Sequence, residues 1–245
     1  MMQARLDGDD RLPLYQRLAD NLRREVVKGI RKPGDRMPSE NALSEEYGMA
    51  AGTVRQALAA LVDEGLLERF HGRGTFVRRP SFDRSLFRFF RFRGASGESV
   101  IPESRILRRT LAPVPSHIAR ALRIREGSDA ISMSRLRLIG DMPVLAEEIW
   151  LPHRPFAKFL KLPEAEIGPL LYPIYDSICG KQVARAEETL TAEAAGRDTA
   201  RLLRIEPGRP VIVIDRLAKG FDDAALEWRR SRGRADQFHY HTEIR

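Results

Sequence analysis

The sequence predicts an α+β protein in two parts, three helices and a β-hairpin followed by a larger antiparallel sheet domain with helices. Three features point to it. Apolar residues recur every fourth position near the start, a glycine-rich turn joins two short strand-like segments near residue 72, and the second half repeats itself at an offset of 81 residues. A chain of 245 residues is comfortable for two domains, and each is large enough to bury its own core.

Leu14, Leu18, Leu22 and Val26 form the stripe of an amphipathic helix. Gly29 and the turn "RKPGD" end it. Ser39 is the N-cap of a second helix with Leu43 and Tyr47 on its apolar face, and Gly48 stops that helix. A third helix is expected from about Thr53 to Glu64, buried through Val54, Leu58, Leu61 and Val62, with Gly65 at its end. Then "LLERF", "HGRG" and "TFVRR" read as strand, turn and strand. Three helices followed by a hairpin make a winged helix-turn-helix. Residues 80–98 form a linker that contains "LFRFFRF", an alternation able to act as a docking strand.

Beyond it, "ARALRIREGSDAISMSRL" (Ala119 to Leu136) and "ARLLRIEPGRPVIVIDRL" (Ala200 to Leu217) align without a gap. Each copy is a helix, a glycine turn and a strand, and each turns back as a second strand carrying an acid near its start, Glu147 and Glu227. The strand-like "SRILRRT" and "RAEETLT" stand upstream in equivalent places. Two strand–helix–hairpin halves sharing one antiparallel sheet follow from this duplication.

Strand alternation places Ile131, Met133, Arg135, Arg137 and Ile139 on one face, and Leu145, Glu147, Ile149 and Leu151 on one face of the returning strand. Arginines on an apolar face call for something anionic. That is either a small ligand with a phosphate or carboxylate plus hydroxyls, or an internal cross-strand pair of Arg135 or Arg137 with Glu147.

Lysine and arginine number 42 against 34 acids, a formal charge of +8 with a pI near 10.0, so an anionic partner is expected. Ten arginines lie between Pro80 and Arg125, either a solvated basic face or a phosphate-facing one. Cys179 is the only cysteine, which excludes an intrachain disulfide and a cysteine cluster for a metal. No apolar run approaches the roughly 18 residues of a membrane span and no signal sequence opens the chain, so a cytoplasmic protein is expected. Of five histidines, only His239 and His241 share a strand face, without a third ligand in view; no metal, cofactor or catalytic set is expected, and the protein is read as a non-enzyme.

For a winged helix-turn-helix the partner is double-stranded DNA. Arg55 and Gln56 early in the third helix, with His71 and Arg73 in the wing, have side chains that match base edges. Ser39 and Thr53 suit phosphates. Arg55 is alternatively a pair for Glu40, holding the second helix to the third.

The run from "PLYQRLADNLRREVVKG" through "GDRMPSENALSEEYGMAAGTVRQALAALVDEGLLERFHGRGTFV" closely resembles the winged-helix domain of GntR-family bacterial transcription regulators. The second half, with "SRLRL", "MPVLAEEIWLP", "LLYPIY" and "RADQFHYHTEI", resembles the UTRA effector domain of the HutC subfamily, a chorismate-lyase-like antiparallel sheet domain. The resemblance implies domains over residues 1–79 and 99–245, a homodimer on a palindromic operator, and DNA binding modulated by a small-molecule effector, with repression as the expected sign. A lyase-like enzyme fused to a DNA-binding module, or an architectural DNA binder, is the rival reading. Arg36, Asn41 and Gly72 join the DNA-facing set by position, while Arg135, Arg137, Glu147, Glu227, Tyr172 and Arg230 make up the effector set. Relatives usually carry Ser-Arg where this chain has Ala50-Ala51, Ser where it has Leu170, and Tyr where it has Gly233. Loss of those hydroxyls points away from a sugar phosphate and toward a carboxylate or other organic anion.

Overall fold

The computed structural model describes residues 11–78 and 101–238. The linker at 80–98 and the pair His239 and His241 lie outside them. The chain divides into two compact units, at 1–80 and 81–245.

In the first unit, helix α1 (Leu14–Val27) buries Leu18, Ala19, Leu22 and Val26. The stripe begins one turn later than the sequence suggests, since Leu14 is exposed. Helix α2 (Glu40–Tyr47) is capped by the Ser39 hydroxyl, which accepts from the Ala42 amide at 3.1 Å, and Gly48 ends it in the left-handed region at φ 64°. Helix α3 (Ala51–Asp63) buries Val54, Ala57, Leu58 and Leu61. It begins two residues before Thr53, because Ala50 takes the extended N-cap conformation. Alanine propagates a helix well but has no side-chain acceptor for the first amides, and α3 accordingly has no side-chain cap. Ala50→Ser is expected to raise stability by about 1 kcal/mol without changing helix content, measured by urea denaturation followed by circular dichroism.

Strands β1 (Leu67–Phe70) and β2 (Gly74–Val77) pair from Leu67↔Val77 to Phe70↔Gly74, the wing. Arg36 bridges to Phe76, and the Met37 amide donates to the Thr75 carbonyl at 2.8 Å, tying the segment before α2 to the hairpin.

In the second unit one antiparallel sheet runs in the order β3 (Glu103–Pro113), β4 (Asp129–Ile139), β5 (Met142–Pro152), β8 (Ala225–Arg234), β7 (Pro210–Lys219) and β6 (Arg185–Ala194). Helices α4 (Ser116–Leu122) and α7 (Arg197–Leu203) follow β3 and β6 at equivalent places. Both end on a left-handed arginine, Arg123 at φ 54° and Arg204 at φ 52°. The halves meet where β5 pairs with β8. Alternation divides the core: Ile118, Ala119 and Leu122 of α4 pack on Ala130, Trp150 and Trp228, while Ala200 and Leu203 of α7 pack on Leu136, Leu138, Ala146 and Val211. On the opposite face, Ile131, Met133, Ile149 and Leu151 support α5 (Ala157–Lys161) and α6 (Leu171–Cys179) through Phe159, Leu171 and Tyr175, and Phe156 joins them.

The register corrects one detail of the repeat. Arg135 faces Glu147, but its equivalent Arg216 faces Arg229, and Glu227 faces Ala218. Glu227 therefore stands one same-face position away from the counterpart of Glu147.

Candidate functional sites

The DNA-facing candidates gather around α2, α3 and the wing. Arg36, Ser39, Glu40, Arg69, His71 and Gly72 contribute to the lining of one groove between the start of α2 and the hairpin. Asn41, Gln56, His71 and Arg73 are exposed, and Thr53 is half-buried in the first turn of α3. The Arg73 guanidinium lies 5.6 Å from the centre of the Phe70 ring. Gly72 at φ 72° and Gly74 at φ 113° shape the tip, and a side chain at Gly74 would come within 3.1 Å of Arg36 Nε. Glycine at 74 thus lets Arg36 lie across the wing.

Arg55 does pair with Glu40: its Nε donates to Oε2 at 2.9 Å, and Arg69 Nη2 reaches the other oxygen at 3.3 Å. Yet the Arg55 side chain remains 64 % exposed. An ion pair in that setting is worth about 0–1 kcal/mol, so the guanidinium can exchange Glu40 for a base edge at small cost. The Ser39 oxygen serves α2 as acceptor, and its hydroxyl proton remains a donor suited to a phosphate.

The effector candidates sit on the sheet face covered by α6. Arg135, Arg137 and Glu147 come together as expected, all nearly inaccessible to solvent. The internal pairing is present: Arg135 Nε donates to Glu147 Oε2 at 2.5 Å. The guanidiniums also reach upward. Arg137 Nη1 donates to the Pro169 carbonyl at 2.5 Å, and Arg135 Nη1 donates to the same oxygen at 3.4 Å and to Ser104 Oγ at 3.3 Å. Pro169 immediately precedes Leu170, the N-cap of α6, which offers no side-chain acceptor.

Glu227 is fully buried. It accepts from the Tyr172 hydroxyl at 3.2 Å and the Tyr175 hydroxyl at 2.7 Å. Tyr172 thus joins the set. Arg230 does not: it projects from the other face, where it forms a two-pronged pair with Asp215 at 2.6 Å and lies over the Trp228 ring. Its neighbour Arg229 takes the inward position, with Nη2 on Glu227 Oε2 at 2.8 Å and Nη1 on Glu147 Oε1 at 3.3 Å. The effector set read from sequence held Arg230 and not Arg229; counting by twos from Glu227 puts Arg229 on the inward face and Arg230 on the other. Glu188 of β6, paired with Arg216 Nε at 2.7 Å, was also missed.

Burial works against the charge on Glu147, but Arg135, Arg229 and Arg137 outweigh it and hold the carboxyl well below the usual range. Burial pushes Arg137 down to about 10; Glu147 opposes this, while repulsion from Arg135 and Arg229 adds to it. Tyr172 and Tyr175 are raised by burial and by Glu227, so both phenols stay protonated and donate. The sign for stability follows from Glu147. The unfolded chain takes up its proton near pH 4.3 and the folded chain only at lower pH, so its contribution is present above that range and declines as pH falls below it. Melting temperature is expected to drop from pH 6 to pH 3, and to drop less in Glu147→Gln.

A winged helix-turn-helix unit and a sheet domain with buried arginines define the class of a ligand-responsive transcription regulator. Residues 14–77 match the gntR family of bacterial regulatory proteins, and residues 98–239 match the UTRA domain. The repressor NagR of Bacillus subtilis is 30% identical over 228 residues, 93% of each chain. MngR of Escherichia coli, a mannosyl-D-glycerate transport and metabolism system repressor, is 27% identical over 231 residues, 93% of this chain and 94% of its own. The ligand-binding domain of a protein described as a GntR-family regulator from Bordetella bronchiseptica superposes with a TM-score of 0.57 at 34% identity, covering 64% of this chain and 98% of that one. PhnF from Mycobacterium smegmatis, at 23% identity and a TM-score of 0.56 over 95% of this chain and 99% of its own, shares the fold. The chain belongs to the GntR family, HutC subfamily: it is a DNA-binding regulator of transcription with a UTRA effector domain, and not an enzyme. Among the described residues no helix is long and apolar enough to cross a membrane.

Proposed function

We propose that the protein is a cytoplasmic, homodimeric repressor with domains at 1–79 and 99–245 and a linker at 80–98, whose hold on a palindromic operator is modulated by a small organic anion. The observation that carries the ligand class is the shared Pro169 carbonyl. Two buried guanidiniums converge on one neutral oxygen at the foot of a helix without a side-chain cap. An anion in place of that carbonyl would meet both forks and the α6 amides together. Leu170 and Gly233 bring no hydroxyl to hold a phosphate. MngR is named for mannosyl-D-glycerate, and glycerate is a carboxylate.

On DNA, Arg55, Gln56 and Asn41 read base edges, Arg36, Ser39 and Thr53 hold phosphates, and His71, Gly72 and Arg73 place the wing. Two copies related by a twofold axis would read mirrored half-sites. Fluorescence anisotropy with DNA flanking the gene, at fixed salt, tests the reading. Sequence-specific binding that shifts on addition of an organic acid, and that no longer shifts in Arg135→Ala, is expected. Absence of specific binding at moderate salt would sink it.

A further inference from the structure

We propose that Arg229 determines which effector is accepted, rejecting ligands that carry an ammonium group and selecting one with a second anionic group. The inference rests on the reading of this sheet face as the effector site. Its starting point is the state of the two buried carboxylates. Glu147 accepts from Arg135, from Arg229 and from Ser231 Oγ at 3.2 Å. Glu227 accepts from Tyr172, Tyr175 and Arg229. A carboxylate has about four acceptor places, so each acid has three filled by the protein itself.

Two acids side by side on one face would otherwise form a seat for an amine or for a row of hydroxyls. Here a guanidinium occupies that seat. It grips Glu147 with one terminal nitrogen and Glu227 with the other, across the strand pair that joins the two halves. A ligand ammonium would have to expel a buried cation held by two carboxylates, and like charges in a buried site repel strongly.

Arg229 also has something left to give. Its Nε is buried and meets no acceptor among the described residues. The side chain lies beside the Tyr172 ring, 5.7 Å from its centre, so the spare donor sits within the effector face. A buried donor without a partner is unfavourable, and an anionic oxygen from a ligand would satisfy it.

Strand geometry supplies the scale. Arg135 aligns with Glu147 and Glu147 with Ser231, two residues from Arg229. Two strand spacings of about 4.8 Å and a two-residue step of about 3.4 Å each place the Arg135 and Arg229 Cα atoms about 12 Å apart. Their guanidiniums converge on Glu147 from the two sides. A short ligand with an acid at each end can engage both, one end at Arg135 and Arg137, the other at Arg229.

Isothermal titration calorimetry on the full chain tests this, with succinate and adipate as two-ended acids, glucose 6-phosphate as a one-ended anion, and glucosamine 6-phosphate as an anion carrying an amine. At least one diacid is expected to bind tenfold or more tightly than glucosamine 6-phosphate. Arg229→Gln should weaken that diacid at least tenfold and strengthen the amine-bearing ligand. Arg229→Lys, which keeps the charge and loses the fork, should weaken the diacid yet preserve the order of preference. If Arg229→Gln fails to fold, the wild-type order and the lysine variant decide. Equal or tighter binding of either sugar phosphate by the wild type, or an order unchanged in Arg229→Gln, overturns the assignment of Arg229. In that case loss of all binding in Arg135→Ala leaves the effector site in place, whereas binding indifferent to Arg135→Ala overturns the site together with the assignment.

Discussion

Glu147→Ala is expected to destabilise the effector domain by about 3–5 kcal/mol. The carboxylate lies between Arg135 and Arg229 with its side chain inaccessible to solvent, and it also receives the Ser231 hydroxyl. Removing it leaves Arg135 without a carboxylate partner and Arg229 with Glu227 alone, in a site where water cannot replace the lost partner, which is costlier than the loss of packing from so small a truncation. Glu193→Ala is the comparison. Glu193 pairs with Arg232 at 2.7 Å, but the two side chains are 40 % and 23 % exposed, so its loss should fall within about 0–1 kcal/mol. Urea denaturation of both variants makes the measurement, and equal losses would show that the buried ions are not mutually dependent.

The second large effect is expected on DNA. Arg55→Ala should reduce operator affinity by about 1–3 kcal/mol and relax discrimination at one base position in each half-site. Loss of the Glu40 pair predicts a small change in domain stability alone, because that pair is exposed on the Arg55 side. Affinity and stability measured on one variant therefore separate reading from bracing. Arg73→Ala should also weaken binding. A uniform loss across operator variants would mark Arg73 as a phosphate contact, whereas a loss confined to one base position would mark it as a reader.

Much of this architecture was legible because it rests on local periodicity. The stripe of α1, the Ser39 cap, the glycine-shaped wing and the two-copy sheet each leave a short-range signature in the residues. The alternation of one hairpin left a pair of Arg135 or Arg137 with Glu147 as one of two readings, and the register pairs Arg135 with Glu147. What escaped depends on registers between distant segments. Arg229 reaches Glu147 across 82 positions, and Tyr175 reaches Glu227 from a helix lying between the two repeats, where no duplicated pattern marks it. Arg230 was misplaced because an extended strand sends consecutive side chains to opposite faces, so that it is Arg229 that shares a face with Glu227. The early start of α3 had the opposite cause: alanines are neutral enough for the helix to extend to the point where the turn from α2 releases the chain. That turn is held by the Ser44 hydroxyl donating to the Met49 carbonyl.

The bare beginning of α3 has a thermodynamic consequence. The Ala50 carbonyl accepts from the Thr53 and Val54 amides, but Ala50 has no side-chain oxygen for the amides before them, and Gly52 faces open space with nothing within 4 Å of where a side chain would start. Against a duplex, a backbone phosphate oxygen can take the place of the missing side-chain cap. Part of the energy of docking would then be helix-capping energy, held in reserve until DNA arrives. A serine at position 50 would release that reserve in advance, making the free domain sturdier and the complex comparatively weaker. The plain "MAAG" stretch would then be a point at which operator and protein complete one helix between them.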